Sequence, residues 1–564
     1  MARWDRAEMR SGIVTVLPMR DPPRWQRFAL ALILTVVLAP AIFSLGTLSG
    51  TDPALHFPQG DQAQAQAGAY YYYRDSWRLP LFAMAVPGID GLRSVIFTDS
   101  IPLVALLGKI WFKLTGNATD LTTPWLWICL LGQAFAMVLL MEQIDLCRPA
   151  QIISGVVIAL VMPAWLFRYW MWHLALCGQF LLVLALALSL RPAEAFVRAP
   201  LDWKWSALLV AALWVHPYFL AMTLPFFLLS TARAASSRLP GALGNALFAL
   251  AIVLAAAGAA MGIGGYLGDG LVRVSSGFDT YSMNVLAPFG AMGKGGLLPD
   301  GGHFARGTEG QMEGFNYLGL GLLAGLLLVF AGTFRDRGRL LRVAARRQWP
   351  LLLLLGGLTL YALSGKVYVG THQLLSYRWP AILDGLTGTF RASGRLFWPV
   401  GYAVGAFVLY GISRQYRNGA AAALMLAIAL LQWLDTSQLR HVAQTEKPAD
   451  PISSDSGVAT LVATHAAVSI HPPIGCTDDP SSLSGAFAIQ LLAARYGTRI
   501  NSLSGARQDV DCDRQARALQ RLGPGSGTLV VLGTPYDAAY IDKRHWRDRC
   551  VVRHQLHLCS FHSG

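Results

Sequence analysis

Residues 28–47 read FALALILTVVLAPAIFSLGT, and this run decides the class of fold. It is long enough to cross about 30 Å of hydrocarbon as a helix. The segment before it is basic and carries Arg3, Arg6, Arg10, Arg20, Arg24 and Arg27. A signal peptide has the same order of features, but this run exceeds a usual signal core and no convincing small-residue cleavage site follows it. The pattern predicts an uncleaved membrane anchor, with residues 1–27 in the cytoplasm.

Apolar runs of this kind recur along the whole chain. Of the 564 residues, 54% are hydrophobic and only 14% are charged, whereas a soluble domain carries about 25% charge. Further runs lie at residues 125–141, 152–166, 174–190, 243–261, 315–333, 351–364, 396–412 and 420–434. The net charge of +14 is spread over short pieces between these runs. That distribution is typical of the loops of a multi-pass membrane protein and argues against a nucleic-acid partner.

One region leaves the number of spans open. Residues 205–229 are apolar throughout but are broken by His216-Pro217, which fits one kinked span or two short ones. Six arginines crowd residues 335–347, and the positive-inside rule places such a short loop in the cytoplasm. From a cytoplasmic N-terminus, this holds only if residues 205–229 cross twice. The prediction is an α-helical polytopic membrane protein with about eleven transmembrane helices over residues 28–435.

This topology leaves four pieces on the outer side. They are the first loop (residues 48–124), the second loop (262–314), the third loop (365–395) and the tail (436–564). In the tail, residues 525–533 (GSGTLVVLG) predict a strand and residues 484–496 (SGAFAIQLLAARY) predict an amphipathic helix. The tail is therefore expected to be a small soluble α/β domain.

The tail holds four cysteines, Cys476, Cys512, Cys550 and Cys559. An even number in an oxidising compartment indicates disulfides, with three possible pairings. A metal site is the alternative, because His554, His557 and His562 flank the last two cysteines. The absence of a standard cysteine–histidine spacing favours disulfides.

The first loop carries the carboxylates that point to chemistry. Asp52 and Asp75 fit turn or helix-cap positions. Asp61 follows Gly60, which allows close backbone approach, and Asp99 precedes an apolar helix start at Ile101-Pro102. Asp61 and Asp99 are therefore the candidate functional carboxylates.

The third loop supplies cations. Lys366, His372, Arg391 and Arg395 lie in it, the last two within FRASGR. Arginines spaced by four with Ser and Gly between them suit a phosphate clamp, and they suit lipid-headgroup anchoring equally well. The predicted spans almost lack charged residues near their middles, which argues against an ion-coupled transporter.

Several stretches together resemble the glycosyltransferase C (GT-C) superfamily, and more closely a bacterial multi-pass inner-membrane family of that type. The matching stretches are Gly60-Asp61 with residues 70–73 (YYYY), 98–109 (TDSIPLVALLGK), 173–180 (HLALCGQF), 216–218 (HPY), 281–284 (YSMN), 313–320 (EGFNYLGL) and 390–399 (FRASGRLFWP). The resemblance implies a GT-C-like fold in the bacterial inner membrane, with the tail in the periplasm. It also adds His173, His216, Tyr281 and Glu313 as candidate site residues.

The activity that the resemblance implies is transfer of a sugar from a polyprenyl-phosphate donor to a cell-envelope glycan or lipid acceptor. Asp61 would accept the proton of the acceptor hydroxyl, and Arg391 and Arg395, with Lys366 or His372, would stabilise the departing phosphate. Asp99 would orient the acceptor or help to hold a divalent cation, since members of the superfamily differ in their use of metal. The alternative is a non-enzymatic flippase or assembly component for envelope polysaccharide, which should place cations in its central cavity.

Overall fold

A computed structural model describes residues 21–199, 202–267, 277–299, 302–445, 447–506, 510–523 and 525–561. Within these residues the chain is mostly helical, with a small sheet near the C-terminus. Four of the N-terminal arginines (Arg3, Arg6, Arg10 and Arg20) and His562 of the alternative metal site lie outside the described residues.

Nineteen helices precede the tail's α/β elements in the part of the chain described. Those before His216 are α1 (Arg24–Leu38), α2 (Leu45–Ser49), α3 (Pro53–His56), α4 (Gly60–Arg74), α5 (Pro102–Thr115), α6 (Thr122–Gln143), α7 (Pro149–Leu160), α8 (Pro163–Trp170), α9 (Phe180–Ser189), α10 (Ala193–Arg198) and α11 (Trp203–Val215). Those after it are α12 (Pro217–Ala235), α13 (Ala242–Gly264), α14 (Leu320–Arg335), α15 (Arg339–Leu363), α16 (Asp384–Thr389), α17 (Trp398–Gln415), α18 (Asn418–Asp435) and α19 (Ser437–Gln444).

Seven helical segments of the described chain are long and apolar enough to cross a membrane. They are Arg24–Ala41, Thr122–Gln143, Pro149–Trp170, Pro217–Ala235, Ala242–Gly264, Ser393–Gln415 and Asn418–Asp435. Three shorter apolar helices accompany them, at Leu174–Ser189, Trp203–Val215 and Leu320–Arg335. The predicted helical fold is confirmed, and these apolar helices are compatible with a membrane protein.

The region that left the span count open forms two helices. His216 is extended, with φ −166° and ψ 132°, and Pro217 begins α12, where its missing N–H is no loss. The helices on either side of this break, α11 and α12, pack against each other. The 13 residues of α11 rise only about 20 Å, less than the thickness of a bilayer core.

The arginine cluster differs from the predicted loop. Arg335 ends α14 and Arg337 links the helices with φ +51°, but the remaining arginines lie on the first half of α15. This half joins the apolar half through a kink at Gln348, two residues before Pro350. Arginine is a good helix former, so the cluster extends the helix instead of forming a loop.

Polar contacts join several helix ends on one side of the bundle. Arg27 pairs with Glu142 at 3.2 Å, where α1 begins and α6 ends. Gln415 donates to Asp336 at 3.2 Å, which joins the ends of α17 and α14. The first contact therefore joins opposite ends of two helices, and the second joins the C-terminal ends of two helices.

The tail forms a mixed α/β unit, as predicted. Its helices are α20 (Ser456–Thr464), α21 (Pro480–Tyr496), α22 (Cys512–Arg521) and α23 (Ala538–Lys543). The strands of the whole chain are β1 (Ala83–Ala85), β2 (Leu92–Ser94), β3 (Lys366–Val369), β4 (His372–Ser376), β5 (Ala467–His471), β6 (Arg499–Ile500), β7 (Thr528–Leu532), β8 (Cys550–Arg553) and β9 (Leu556–Phe561). The tail sheet has the order β6-β5-β7-β9-β8, with the fully buried β7 at its centre.

The four tail cysteines form two disulfides. Cys476 pairs with Cys512, and Cys550 pairs with Cys559 across the neighbouring strands β8 and β9. The disulfide prediction is therefore confirmed, and one of the three open pairings is selected. All four sulfurs are used in this way, which leaves no thiolate for the alternative metal site.

Candidate active site

The site is built on α4, a helix that is buried although its sequence is polar. Ten of its 15 residues are buried, among them Gln62, Gln64, Gln66 and the four tyrosines 70–73. Alanines on α4 allow the tail helix α21 to pack closely against it, while α5 covers another face. Gly68 is required here, because a Cβ at this position would lie 2.1 Å from Oγ1 of Thr98. This close approach fixes residues 98–99 against α4.

Asp61 lies in the first turn of α4, and its side chain is 59% exposed. Its Oδ2 lies 3.8 Å from Nε2 of His173. Desolvation by the surrounding residues and then the Glu313 carboxylate raise the pKa of Asp61. A carboxylate that reaches solvent, with a raised pKa, is suited to accept a proton.

Glu313 is the hub of the charged residues. Its Oε2 accepts from Nη1 of Arg168 at 2.7 Å and from Nε and Nη2 of Arg395 at 3.0 and 2.8 Å. Nη2 of Arg168 also donates to the backbone carbonyl of Glu313 at 2.7 Å. Burial alone would raise the pKa of Glu313, but the two guanidinium groups outweigh it and hold the pKa far below its usual range. Glu313 is therefore an ionised carboxylate that neutralises part of the arginine charge.

His173 links this hub to Asp61. Nη1 of Arg168 lies 3.3 Å from Nδ1 of His173, and a guanidinium can only donate, so Nδ1 is the acceptor. Burial lowers the pKa of His173 to about 4, so the ring is neutral at neutral pH. The remaining proton then sits on Nε2, which faces Asp61.

Asp99 lies close enough to Asp61 for the two carboxylates to interact electrostatically. It has φ +56°, in the left-handed region that few residues other than Gly adopt, and it accepts from Nε2 of Gln64 at 2.9 Å. Burial and then the charge of Asp61 raise the pKa of Asp99 to about 6, against the opposing effects of Arg395 and Gln64. Asp99 also lines a small cavity with Tyr73.

The break between α11 and α12 brings the predicted residue His216 to the site, together with its neighbour Tyr218. His216 caps α12, because its Nδ1 accepts from the backbone N–H of Tyr218 at 3.3 Å. The Tyr218 hydroxyl accepts from the backbone N–H of Ala392 at 2.7 Å, and the Arg395 guanidinium stacks over the Tyr218 ring at 4.8 Å.

The third loop contributes only in part. The Arg391 guanidinium stacks over the Tyr281 ring at 5.3 Å, and the Tyr281 carbonyl accepts from the N–H of Gly394 at 3.1 Å, so both residues lie beside the site. Lys366 and His372 lie exposed on the hairpin of β3 and β4, and no ion pair to the site is recorded for them in the part of the chain described. The described contacts do not bring these two residues into the cluster, and their assignment to a phosphate site stays a prediction. The predicted pair of phosphate-binding arginines is also altered, since Arg395 is bound to Glu313.

The described side chains do not form a binding site for the divalent cation that the resemblance left open. Among the described residues, no group of three His, Cys, Asp or Glu side chains is placed to hold a metal ion. Asp61 and Glu313 both approach His173, but the two guanidinium groups on Glu313 oppose a second cation there. The side chains present do not fit a metal, and we derive no step through one.

Sequence reasoning missed Arg168 and Gln64. Arg168 is completely buried but follows the predicted end of a span by two residues, where a flanking arginine is commonplace. The signal that could have found it is its place among aromatic residues in PAWLFRYW, five residues before His173. Gln64 belongs to a run of alternating glutamines, and only its partners distinguish it from its neighbours.

The fold is mostly helical, with seven candidate membrane spans, and its candidate site is a cluster of charged residues. The model of one protein family, described as a domain of unknown function (DUF6311), matches residues 32–437. That match covers most of the chain, so the chain belongs to this family. No curated protein and no solved structure matches the chain. The matched residues include every member of the cluster and exclude nearly all of the tail.

Proposed function

We propose that this protein is a membrane glycosyltransferase of the GT-C type. It moves a sugar from a polyprenyl-phosphate donor to a glycan or lipid acceptor of the bacterial cell envelope, on the periplasmic side of the inner membrane. Asp61 is the general base of this reaction. The observation that carries the proposal is the solvent-reaching Asp61 carboxylate, with its raised pKa, 3.8 Å from a neutral histidine at the ends of the candidate spans.

The chemistry follows from the absence of nucleotides outside the cytoplasm. The acceptor hydroxyl attacks the anomeric carbon of the donor, and its proton passes to Asp61. The bond between that carbon and the lipid phosphate oxygen breaks, and the oxygen leaves with the electron pair as lipid phosphate. A general base of this kind contributes roughly 10²–10⁴-fold to the rate.

The surrounding residues divide the remaining tasks. Nε2 of His173 carries its proton toward Asp61 at 3.8 Å and favours the ionised carboxylate, while Asp99 orients the acceptor. Arg391 is exposed at the edge of the cluster and can contact the departing phosphate. Arg395 is fixed by Glu313, so it contributes positive potential from a constant position instead of moving to the ligand.

The same proposal includes the topology. The seven candidate spans, the three shorter apolar helices and the apolar half of α15 give about eleven passes from a cytoplasmic N-terminus. Such a path puts the arginines of residues 335–347 in the cytoplasm and the candidate active site on the periplasmic side. The short α11 crosses only because α5, α9, α12 and α13 contact it.

The experiment compares Asp61→Asn with the matched control Asp90→Asn. Both carboxylates lie in the first loop, but Asp90 is 89% exposed and, among the described residues, its recorded ion pair is with Arg514, which is 67% exposed. Transfer from a panel of radiolabelled polyprenyl-phosphate sugars is measured in membranes, together with complementation of the surface-glycan defect of a deletion strain. Asp61→Asn should insert and melt like the parent while transfer falls at least 10²-fold. Asp90→Asn should keep both properties.

Full complementation by Asp61→Asn would refute the role of Asp61. Loss of transfer together with loss of folding would instead make Asp61 a structural residue. A flippase is distinguished by the same panel, since it moves the lipid-linked sugar without forming a new glycosidic bond.

A further inference from the structure

The tail reaches the candidate active site through one chain of side-chain hydrogen bonds. Oγ of Ser504 donates to Oε1 of Gln64, and Nε2 of Gln64 donates to Oδ2 of Asp99 at 2.9 Å. Gln64 and Ser504 are 6% and 9% exposed, so solvent competes little for the bond between them, whereas Asp99 is exposed at the end of the chain of bonds. An amide has one acceptor and one donor end, and here each end is used in the orientation that the neighbouring group requires.

Ser504 is itself held in place. Its backbone N–H donates to Oε1 of Gln490 at 3.0 Å, and Gln490 is completely buried on α21. Two residues further on, the N–H of Ala506 donates to the carbonyl of Phe97 at 2.6 Å, two residues before Asp99. The tail thus holds both the backbone and the side chain on which Asp99 depends.

We propose that Ser504, acting through Gln64, is a positioning residue for Asp99, and that the tail is therefore part of the candidate active site. The proposal rests on the proposed function only for what Asp99 does in the reaction. The family match ends at residue 437, so this contribution comes from a part of the chain outside the matched region.

The consequence is electrostatic and can be measured without substrate. The groups that face Asp99 are Asp61 on α4, Arg395 before α17, Gln64, and Asp120, which lines the same cavity. Of these, Gln64 donates a hydrogen bond to the ionised form and so lowers the pKa of Asp99. If Ser504 no longer orients the amide, that bond weakens and the pKa rises further.

The test is an infrared difference titration of full-length protein in lipid nanodiscs. The signal of the protonated Asp99 carboxyl is identified by its loss in Asp99→Asn. Ser504→Ala should raise the titration midpoint of this signal by about one pKa unit, since hydrogen bonds to charged groups have that strength. Gln64→Leu should raise it at least as much, and the double variant no further than Gln64→Leu alone.

Ser502→Ala is the matched control. Ser502 lies in the same tail segment and is 7% exposed, but its Oγ has no hydrogen-bond partner among the described residues. This variant should leave the midpoint unchanged. An equal shift in Ser502→Ala and Ser504→Ala, no shift in Ser504→Ala, or additive shifts in the double variant would overturn the proposal. If Ser504→Ala does not fold, Gln64→Leu alone decides, because an unchanged midpoint there removes the link to Asp99.

The two proposals fail in different ways. Under the proposed function, the acidic limb of the transfer rate against pH moves with the infrared midpoint in Ser504→Ala. A shifted midpoint with no detectable transfer in the parent would preserve the positioning role and refute the glycosyltransferase.

Discussion

Replacing Glu313 by Gln should destabilise the protein far more than an ordinary loss of charge. The substitution keeps the shape of the side chain but removes the negative charge that three guanidinium N–H groups share. Arg168 is completely buried and the Arg395 side chain is only 13% exposed, so neither cation can turn to water. Breaking a buried pair by removing one partner costs about 3–5 kcal/mol. We expect a loss of that size in the free energy of unfolding.

The control is Asp542→Asn, which removes a carboxylate from an exposed pair. Arg547 and Asp542 lie 3.0 Å apart, but their side chains are 77% and 47% exposed. Pairs of this kind contribute about 0–1 kcal/mol. Both variants are measured by unfolding in mixed micelles with increasing dodecyl sulfate, followed by tryptophan fluorescence.

A second substitution shows whether the unpaired, buried arginine causes the loss of stability in Glu313→Gln. Arg168→Met in the Glu313→Gln background removes one unpaired buried charge, so the double variant should be more stable than the sum of the single changes predicts. A coupling of at least ~1 kcal/mol is expected for residues in direct contact. If Glu313→Gln loses no more stability than Asp542→Asn, or if the two changes are additive, the reasoning on the hub is wrong.

Four further predictions concern other parts of the molecule. Because desolvation by the surrounding residues and the charge of Asp61 raise the pKa of Asp99 from 3.8 to about 6, the folded state holds this proton more tightly, and stability should fall as pH rises across that interval; the side chain is exposed, so solvent screening keeps the loss small. Asp99→Asn should remove this slope in unfolding titrations at a series of pH values, and an unchanged slope would contradict the assignment. Gly68→Ala should lower the free energy of unfolding by about 1–3 kcal/mol, because the added Cβ would meet Thr98. Gly244→Ala, which has nothing within 4 Å of its added Cβ, should be neutral or stabilising, and equal effects of the two changes would count against the close approach of Gly68 to Thr98. Peptide mapping without reductant should link Cys476 to Cys512 and Cys550 to Cys559 and leave Cys129, Cys147 and Cys177 as thiols, while four reduced tail cysteines with bound zinc would contradict this. Reporter fusions after Arg347 should be cytoplasmic and those after Asp435 periplasmic, and a cytoplasmic tail would overturn the proposed topology.

The helices were predictable where composition alone decides them. A long apolar run forms a helix in a membrane because its backbone has no other partner, and most of the predicted runs contain a helix, although the first candidate span is Arg24–Ala41 and not residues 28–47. The tail helix α21 and the strand β7 also followed their patterns, with α21 beginning at Pro480, four residues before the predicted start. Asp52 caps α3 by accepting from the N–H of Ala54, as its turn-like context predicted.

The site was predictable only residue by residue. Asp61, Asp99, His173 and Glu313 were all identified as candidates, but nothing in the sequence indicates that Glu313 would pair with Arg168, 145 residues earlier. Such pairs are chosen by how the helices pack, which local patterns do not contain. The same limit applies to the third loop, where Lys366 lies on a β-hairpin while Arg395 directly precedes α17, a division that the sequence pattern did not indicate.

The packing of α4 against α21 has a consequence for how the protein is made. Gln64 and Ser504 lie 440 residues apart, and Tyr71 bonds to Thr498 across 427 residues. At about 5–20 residues per second, the ribosome finishes the covering helix roughly 20–90 s after it has finished α4. During that interval a glutamine- and tyrosine-rich helix stands in the growing chain without its partner. A chain that stops early therefore exposes this helix permanently, which gives quality-control proteases a physical means of telling incomplete copies from finished ones.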